Sequence, residues 1–205
     1  FKSATDIIDS DAIDVPCSTS RINFLNFGVV HNNELIVFSD KEQFILRADG
    51  VLSPKTSSLT PATSFSSSPT VRPIVAGKNI YFPVERSKST TIREYYTVQD
   101  VSESKNSQDI TAHVPDYIPT GVTQVEASTT DNIFCLISKN NRKEIYIYKY
   151  LYFNEQKVQS SWSKWVMPKD VVGLNFVGNL LYVYMQDGNN IIISTACMAG
   201  ILHKG

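Results

Sequence analysis

The sequence predicts an all-β protein, arranged as a partial β-propeller-like array of about four antiparallel meander units. Three observations support this prediction. A turn ending in Asn recurs four times, a short run of β-branched and aromatic residues follows each turn, and the turns are spaced almost evenly. The ten Tyr, ten Phe and two Trp residues also favour strands over helices.

The recurring turns end at Asn33, Asn79, Asn132 and Asn179, which are 46, 53 and 47 residues apart. Asparagine tolerates the left-handed backbone that tight turns require, so we expect it to serve that purpose here. A repeat of this length with three or four short strands is typical of a propeller blade.

Each unit contains the same order of predicted strands. The strand before the turn is expected at residues 24–30, 71–76, 122–127 and 171–176. The strand after it is expected at 35–38, 80–84, 133–137 and 180–184, and the next one at 44–46, 92–98, 145–150 and 191–194. The third unit also shows a clear fourth strand, at 158–166. An ordinary meander of hairpins or a long β-sandwich would have similar turn spacing, and both remain alternatives.

Two segments interrupt this pattern. Residues 53–70 are rich in Ser, Thr and Pro and are predicted to form an extended connection or an edge strand, because proline cannot donate to a β-ladder. Residues 101–119 are predicted to be an excursion between blades, and 100–107 is the one candidate for a short helical turn. We therefore expect an extended N-terminal segment at 1–20 and a propeller-like domain at 21–205, with units at about 21–60, 70–114, 121–167 and 170–197.

The charge balance argues against a dedicated nucleic-acid-binding protein. The chain has 19 basic and 20 acidic residues, whereas such proteins concentrate Lys and Arg to displace counterions. A wall along which DNA slides is not excluded. No apolar run is long enough to span a bilayer.

The three cysteines, Cys17, Cys135 and Cys197, are far apart and form no C-x-x-C pair. This spacing does not favour a zinc site. We expect three reduced thiols, in a protein assembled in a cytoplasm.

The titratable residues suggest no catalytic or metal site. His31, His113 and His203 lack metal-ligand spacing, and His31 is expected to be exposed in a turn, whereas His113 could be a structural hydrogen-bonding residue. Two groups of charged residues are expected to be solvated. The acidic run consists of Asp6, Asp9, Asp11 and Asp14. The basic hairpin tip consists of Lys139, Arg142 and Lys143.

Trp162 and Trp165 are three residues apart, so a strand places them on opposite faces. Core packing is the preferred interpretation, with a sugar-stacking platform as the alternative. No nucleophile elbow, phosphate-binding loop or dinucleotide fingerprint occurs in the sequence.

Several strings resemble the tail nozzle protein family of T7-like short-tailed bacteriophages, also called tail tubular protein B. They are IDVPCSTSRINFL, ELIVFSDKEQFILRADGVLSPKT, DITAHVPDYIPTGV and KVQSSWSKWVM, and the resemblance weakens after Ile193. The family protein is several times longer, and this chain begins with Phe1, so we expect an internal fragment of a longer protein.

The resemblance implies a virion structural protein and not an enzyme. It implies a homo-oligomeric ring, a hexamer in the full-length protein, that closes the short tail below the adaptor ring of tail tubular protein A. It also implies contact with tail fibres, and double-stranded DNA that passes through the ring during ejection without specific binding. No catalytic residue, cofactor or metal site is carried over. The alternatives are a tail-associated polysaccharide-degrading hydrolase, and a propeller module that docks on a receptor or on fibres.

Overall fold

The protein consists of β-strands joined by turns and loops. The computed structural model describes residues 11–15, 17, 19–97, 105–128, 130–154 and 156–198. Within these residues there are 15 strands in four separate antiparallel sheets and no α-helix. The all-β prediction is therefore confirmed.

Sheets 1 and 2 are four-stranded meanders, in which the order of the strands in space is their order in the chain. The strands of sheet 1 are β1 (Leu25–His31), β2 (Glu34–Ser39), β3 (Gln43–Ala48) and β4 (Ser57–Thr63). The strands of sheet 2 are β5 (Ile74–Ala76), β6 (Asn79–Glu85), β7 (Thr90–Thr97) and β8 (Lys105–Asp109).

Sheet 3 is a third four-stranded meander, whereas sheet 4 has three described strands. The strands of sheet 3 are β9 (Val122–Ala127), β10 (Ile133–Ser138), β11 (Asn141–Phe153) and β12 (Gln156–Val166). The strands of sheet 4 are β13 (Asp170–Val177), β14 (Leu180–Asp187) and β15 (Asn190–Cys197). Every strand predicted from the sequence overlaps one of these, although β5 is shorter than expected.

The sheets stack face to face in chain order, and each contact has its own apolar core. Sheets 1 and 2 share residues such as Phe38 and Phe82, sheets 2 and 3 share Tyr81 and Phe134, and sheets 3 and 4 share Ile147 and Leu181. The two middle sheets are therefore covered on both faces, which explains why β10 is buried along its whole length. The described residues form no closed barrel or propeller ring.

Three of the four recurring turns adopt the left-handed conformation at a described residue, which is either asparagine or glycine. In the first turn Asn32 and Asn33 have φ angles of 49° and 60°, as expected for asparagine. In the second and fourth turns it is glycine, Gly77 and Gly178, that has φ near 60°. The expectation that asparagine always fills this role was wrong, and Asn79 is instead the first residue of β6.

Two predictions for the irregular segments have different outcomes. The Pro-rich segment contains β4, which is the outer edge strand of sheet 1 and includes Pro61, so the edge-strand alternative is confirmed. The expected excursion was wrong for 105–109, because these residues pair with β7 as the fourth strand of sheet 2. The helical turn was wrong for 105–107, and residues 100–104 lie outside the described part of the chain.

The N-terminal segment is described only in part, since residues 1–10, 16 and 18 are outside the described residues. Cys17 forms an isolated parallel bridge with Leu59 of β4. Nearby, the carboxylate of Glu42 accepts hydrogen bonds from Thr19 and Asn23, at 2.6 and 2.8 Å. Cys17 therefore lies at the outer edge of sheet 1, and Thr19 and Asn23 lie beside the β2–β3 turn.

Candidate functional site: an ion pair and a groove between sheets

His31 is buried, contrary to expectation. Its imidazole Nε2–H donates to the backbone carbonyl of Lys78 at 2.7 Å, which ties the end of β1 to the first turn of sheet 2. Burial of the imidazole lowers the pKa of His31. His113 is exposed in a loop, and His203 lies outside the described residues.

Of the charged groups noted in the sequence, the acidic run is described only in part, whereas the basic hairpin tip is described in full. Asp6 and Asp9 lie outside the described part of the chain, and Asp14 is exposed. Lys139, Arg142 and Lys143 lie at the tip of the β10–β11 hairpin, where the Arg142 guanidinium is 3.8 Å from the Asp170 carboxylate. Among the described residues, no group of three or more His, Cys, Asp or Glu side chains is arranged to hold a metal ion.

The two tryptophans lie on opposite faces of β12, which confirms the prediction. Trp162 packs between sheets 2 and 3, with its ring centroid 4.8 Å from that of Tyr148, and its indole N–H donates to the Ile110 carbonyl at 3.0 Å. Trp165 packs against the core between sheets 3 and 4. Both rings contribute to contacts between sheets, which favours core packing over a sugar platform.

All three cysteines are free, as predicted, but their environments differ. Cys197 is exposed, Cys17 is intermediate and Cys135 is fully buried on β10, where burial raises the pKa of its thiol. We expect a thiol reagent to modify Cys197 first and Cys17 more slowly. Cys135 should react only after denaturation, because thiolate is the reactive form and access is needed as well. Mass spectrometry of native and denatured protein would show this, and rapid labelling of native Cys135 would contradict the packing of sheet 3.

The most elaborate polar site is a buried ion pair between sheets 2 and 3. Glu94 on β7 is 1% exposed, and Lys157 on β12 places its ammonium nitrogen 2.6 Å from Oε1 of that carboxylate. The same oxygen accepts hydrogen bonds from Tyr81 and from the Asn79 amide, each at 2.6 Å. The other oxygen accepts one from Gln108 at 2.6 Å. The carboxylate is therefore fully satisfied inside the protein.

Four tyrosine rings surround Lys157 of this ion pair. The Lys157 ammonium lies 5.6 to 5.9 Å from the ring centroids of Tyr81, Tyr148, Tyr150 and Tyr152. These are cation–π distances, and three of the rings come from consecutive inward positions of β11. The carboxylate is thus fully buried, and the rings cover most of the Lys157 side chain, which is 16% exposed.

The electrostatics of Glu94 are those of a structural anion. Burial by itself raises the pKa of Glu94, but the charge of Lys157 and hydrogen bonds from Lys157, Tyr81 and Gln108 outweigh it and hold the pKa below its ordinary value. A general acid needs the opposite, a carboxyl that stays protonated near neutral pH. This carboxylate is therefore suited to joining two sheets.

The lowered pKa predicts acid sensitivity with a defined sign. Ionised Glu94 stabilises the folded state fully above its ordinary pKa of 4.5, and this contribution is lost as the pH falls through the lower folded-state pKa. We expect stability measured by urea titration to fall below about pH 4.5. Glu94→Gln should fall less steeply over that range, and identical pH profiles for the two proteins would contradict the assignment.

A groove of about 730 Å³ runs along the first strands of three sheets. It is lined by residues 28–30, 70–75 and 123–127, which include parts of β1, β5 and β9. Beside it, Gln124 of β9 forms two hydrogen bonds with one backbone position on β13. Its Oε1 accepts from the Leu174 amide at 2.9 Å, and its Nε2 donates to the Leu174 carbonyl at 2.8 Å. At the inner edge of sheet 4, this side chain therefore makes the two backbone hydrogen bonds that a neighbouring strand would otherwise make.

Comparison with known proteins identifies the family of this chain. A sequence profile described as bacteriophage nozzle protein matches residues 1–200. The chain belongs to the bacteriophage nozzle protein family. It is also 39% identical over 194 residues to the tail tubular protein gp12 of Escherichia phage T7.

The nozzle family and the T7 relative, a tail tubular protein, are both named after parts of the phage tail. The matched region covers 94% of this nozzle chain but 24% of the T7 protein, so the chain spans about a quarter of that relative. No helix among the described residues has the length and hydrophobicity needed to cross a membrane.

Proposed function

We propose that this chain is an internal part of a longer nozzle polypeptide and forms part of the wall through which the phage genome leaves the virion. The observation that carries this proposal is the match of the nozzle family to residues 1–200. The proposal that the polypeptide is longer rests on the small share of the T7 protein that is covered.

The stacking of the sheets supports a β-propeller architecture for the unit at 21–205. The first strands of consecutive sheets, β1, β5, β9 and β13, contact one another, as inner strands do around a propeller axis. The groove follows three of these strands and would then be a sector of the axial channel. The blades would be the predicted units at 21–60, 70–114, 121–167 and 170–197, preceded by the extended segment at 1–20.

The partners follow from the family resemblance. In the assembled tail the polypeptide would form a homo-oligomeric ring, a hexamer, in contact with the adaptor ring of tail tubular protein A and with tail fibres. Assembly would take place in the host cytoplasm, which agrees with three free cysteines. We assign no catalytic, cofactor-binding or metal-binding residue.

The hydrolase alternative requires two carboxyl groups across a cleft, one of them with a raised pKa. The buried carboxylate of Glu94 has a lowered pKa and an ammonium partner instead. No observation on the described residues favours a receptor-docking module over a structural wall.

Purified tails test the proposed role directly. We expect peptides of this chain in tails released from virions, on a polypeptide much longer than 205 residues, and antibody against the chain should label the tail end in electron micrographs. The control is an antibody against a capsid protein, which should label heads. Absence of the peptides from purified virions would disprove the role.

DNA passage predicts weak binding. A conduit that held the polyanion tightly would stall ejection, because each neutralised phosphate adds counterion-release free energy. We expect a dissociation constant near or above the non-specific range of ~10⁻⁴–10⁻⁶ M at physiological salt, without sequence preference. Fluorescence anisotropy with two unrelated duplexes at two salt concentrations measures this, and tight sequence-dependent binding would indicate a regulator.

A further inference from the structure

Sheet 4 differs from the other sheets in its outer edge. Sheets 1 to 3 each end in a fourth strand, whereas in the described part of the chain nothing pairs with the outer edge of β15. The amide of Met198, next to β15, donates to the carbonyl of Asn179 at 3.0 Å. The amide of Met198 therefore points toward sheet 4. Because amides alternate in direction along an antiparallel strand, the amides of four residues of β15 point away from β14. They belong to Ile191, Ile193, Thr195 and Cys197.

Sheet 3 shows what occupies the equivalent position. There the amide of Tyr150 donates to the carbonyl of Asn132 at 3.0 Å, in the same relation as Met198 to Asn179. Beyond Tyr150 the backbone turns at Asn154, and β12 then covers the outer edge of β11. The pairing of β14 with β15 therefore resembles the pairing of β10 with β11, in a sheet that has a fourth strand.

The composition of β15 is unlike that of the outer strands. The described outer strands carry proline or charged residues, which discourage further pairing: Pro61 in β4, Lys105 in β8 and Lys157 in β12. The sequence of β15, NIIISTAC, has neither proline nor charge. Such an edge is typical of a strand with neighbours on both sides.

Apolar side chains around this edge are also left uncovered. Ile191 and Ile193 on β15 are 54% and 58% exposed. On β11, Leu151 and Phe153 are 49% and 66% exposed, and they lie on the side of the strand that carries Ile147 toward sheet 4. Ile191 and Ile193 pair with Gln186 and Tyr184, on the face of β15 opposite to Ala196 and sheet 3, so apolar side chains are exposed on both faces near this edge.

We propose that β15 accepts an antiparallel strand from another part of the same nozzle polypeptide, outside this chain. The incoming segment has about seven residues, without charge at the positions that face sheet 3. It accepts hydrogen bonds from the four outward amides and covers Leu151. The proposal rests on the proposed function only in that the polypeptide is longer, and the 24% coverage of the T7 relative supplies the length from which the strand comes.

Amide hydrogen exchange resolved by residue tests this proposal. The 205-residue chain is compared with the longer polypeptide from purified tails. We expect the outward amides of Ile191, Ile193 and Thr195 to exchange at least roughly tenfold more slowly in the longer protein. The amides of Ile192 and Ser194 already point to β14 and should change much less. Unchanged outward amides in a polypeptide that is present in tails would overturn the strand, but not the role in the tail.

A proline variant shows whether the protection comes from hydrogen bonds to an added strand or from a partner that only covers the face of sheet 4. Ile193→Pro removes a donor that points away from β14, so the pairing of β14 with β15 keeps its hydrogen bonds. In the longer protein it should abolish the extra protection at Ile191 and Thr195, whereas Ile193→Val should retain it. Protection that survives the proline would overturn the proposal. So would protection in the isolated chain that rises with concentration, because a second copy would then be the partner.

Discussion

Replacing Glu94 with alanine is expected to lower the free energy of unfolding by about 3–5 kcal/mol, because it leaves the ammonium of Lys157 unpaired among buried tyrosine rings. The hydroxyl of Tyr81 loses its acceptor as well. Equilibrium denaturation in urea at pH 7 measures the effect. The unfolding should stay a single transition if sheets 2 and 3 separate together.

Two controls make this result specific. Removing both charges, with Glu94→Leu and Lys157→Met, should restore much of the lost stability, since an apolar pair has no desolvation cost. Asp187 pairs with Lys169 at 2.7 Å, but both side chains are nearly half exposed, so Asp187→Ala should cost less than about 1 kcal/mol. Equal losses for Glu94→Ala and Asp187→Ala would show that the pair between the sheets is not buried.

Phe134→Ala is expected to cost about 3–5 kcal/mol, by creating a cavity at the centre of the contact between sheets 2 and 3. Phe134 is fully buried, and its ring centroid lies 4.7 Å from that of Tyr81 and 5.7 Å from that of Trp162. The loss of these rings' packing should also shift the fluorescence of Trp162 toward longer wavelength.

The matched control for this variant is Phe153→Ala, on the neighbouring strand of the same sheet. Phe153 is 66% exposed, so in the isolated chain its removal should change stability by less than about 0.5 kcal/mol. Thermal unfolding of both variants distinguishes them. A small loss for Phe134→Ala would mean that the two sheets do not pack through this ring.

The strands could be predicted because their signals are local. Runs such as 133–137, which is Ile-Phe-Cys-Leu-Ile, and the turns beside them, specify strand and reversal within a few residues. The fourth strand of sheet 2 was missed for the same reason. Its sequence, KNSQD, is polar throughout, and it is a strand only because β7 offers it an edge.

The contacts between sheets could not be predicted, because they depend on residues far apart in the chain. Glu94 and Lys157, for example, are 63 residues apart in the chain. One signal was available: Glu94 alternates with Ile92 and Tyr96 on one face of β7, and a carboxylate on such a face requires a partner. His31 was misjudged because its partner, the Lys78 carbonyl, belongs to the next sheet.

The stacking of the sheets in chain order has a consequence for how the protein folds. Among the described residues, every substantial contact joins strands of one sheet or of two successive sheets, so each sheet packs on its neighbours in the sequence. Contacts that are close along the chain form quickly, and an array of this kind can grow from any completed neighbour. Each sheet can therefore pack against the preceding sheet during synthesis on the ribosome.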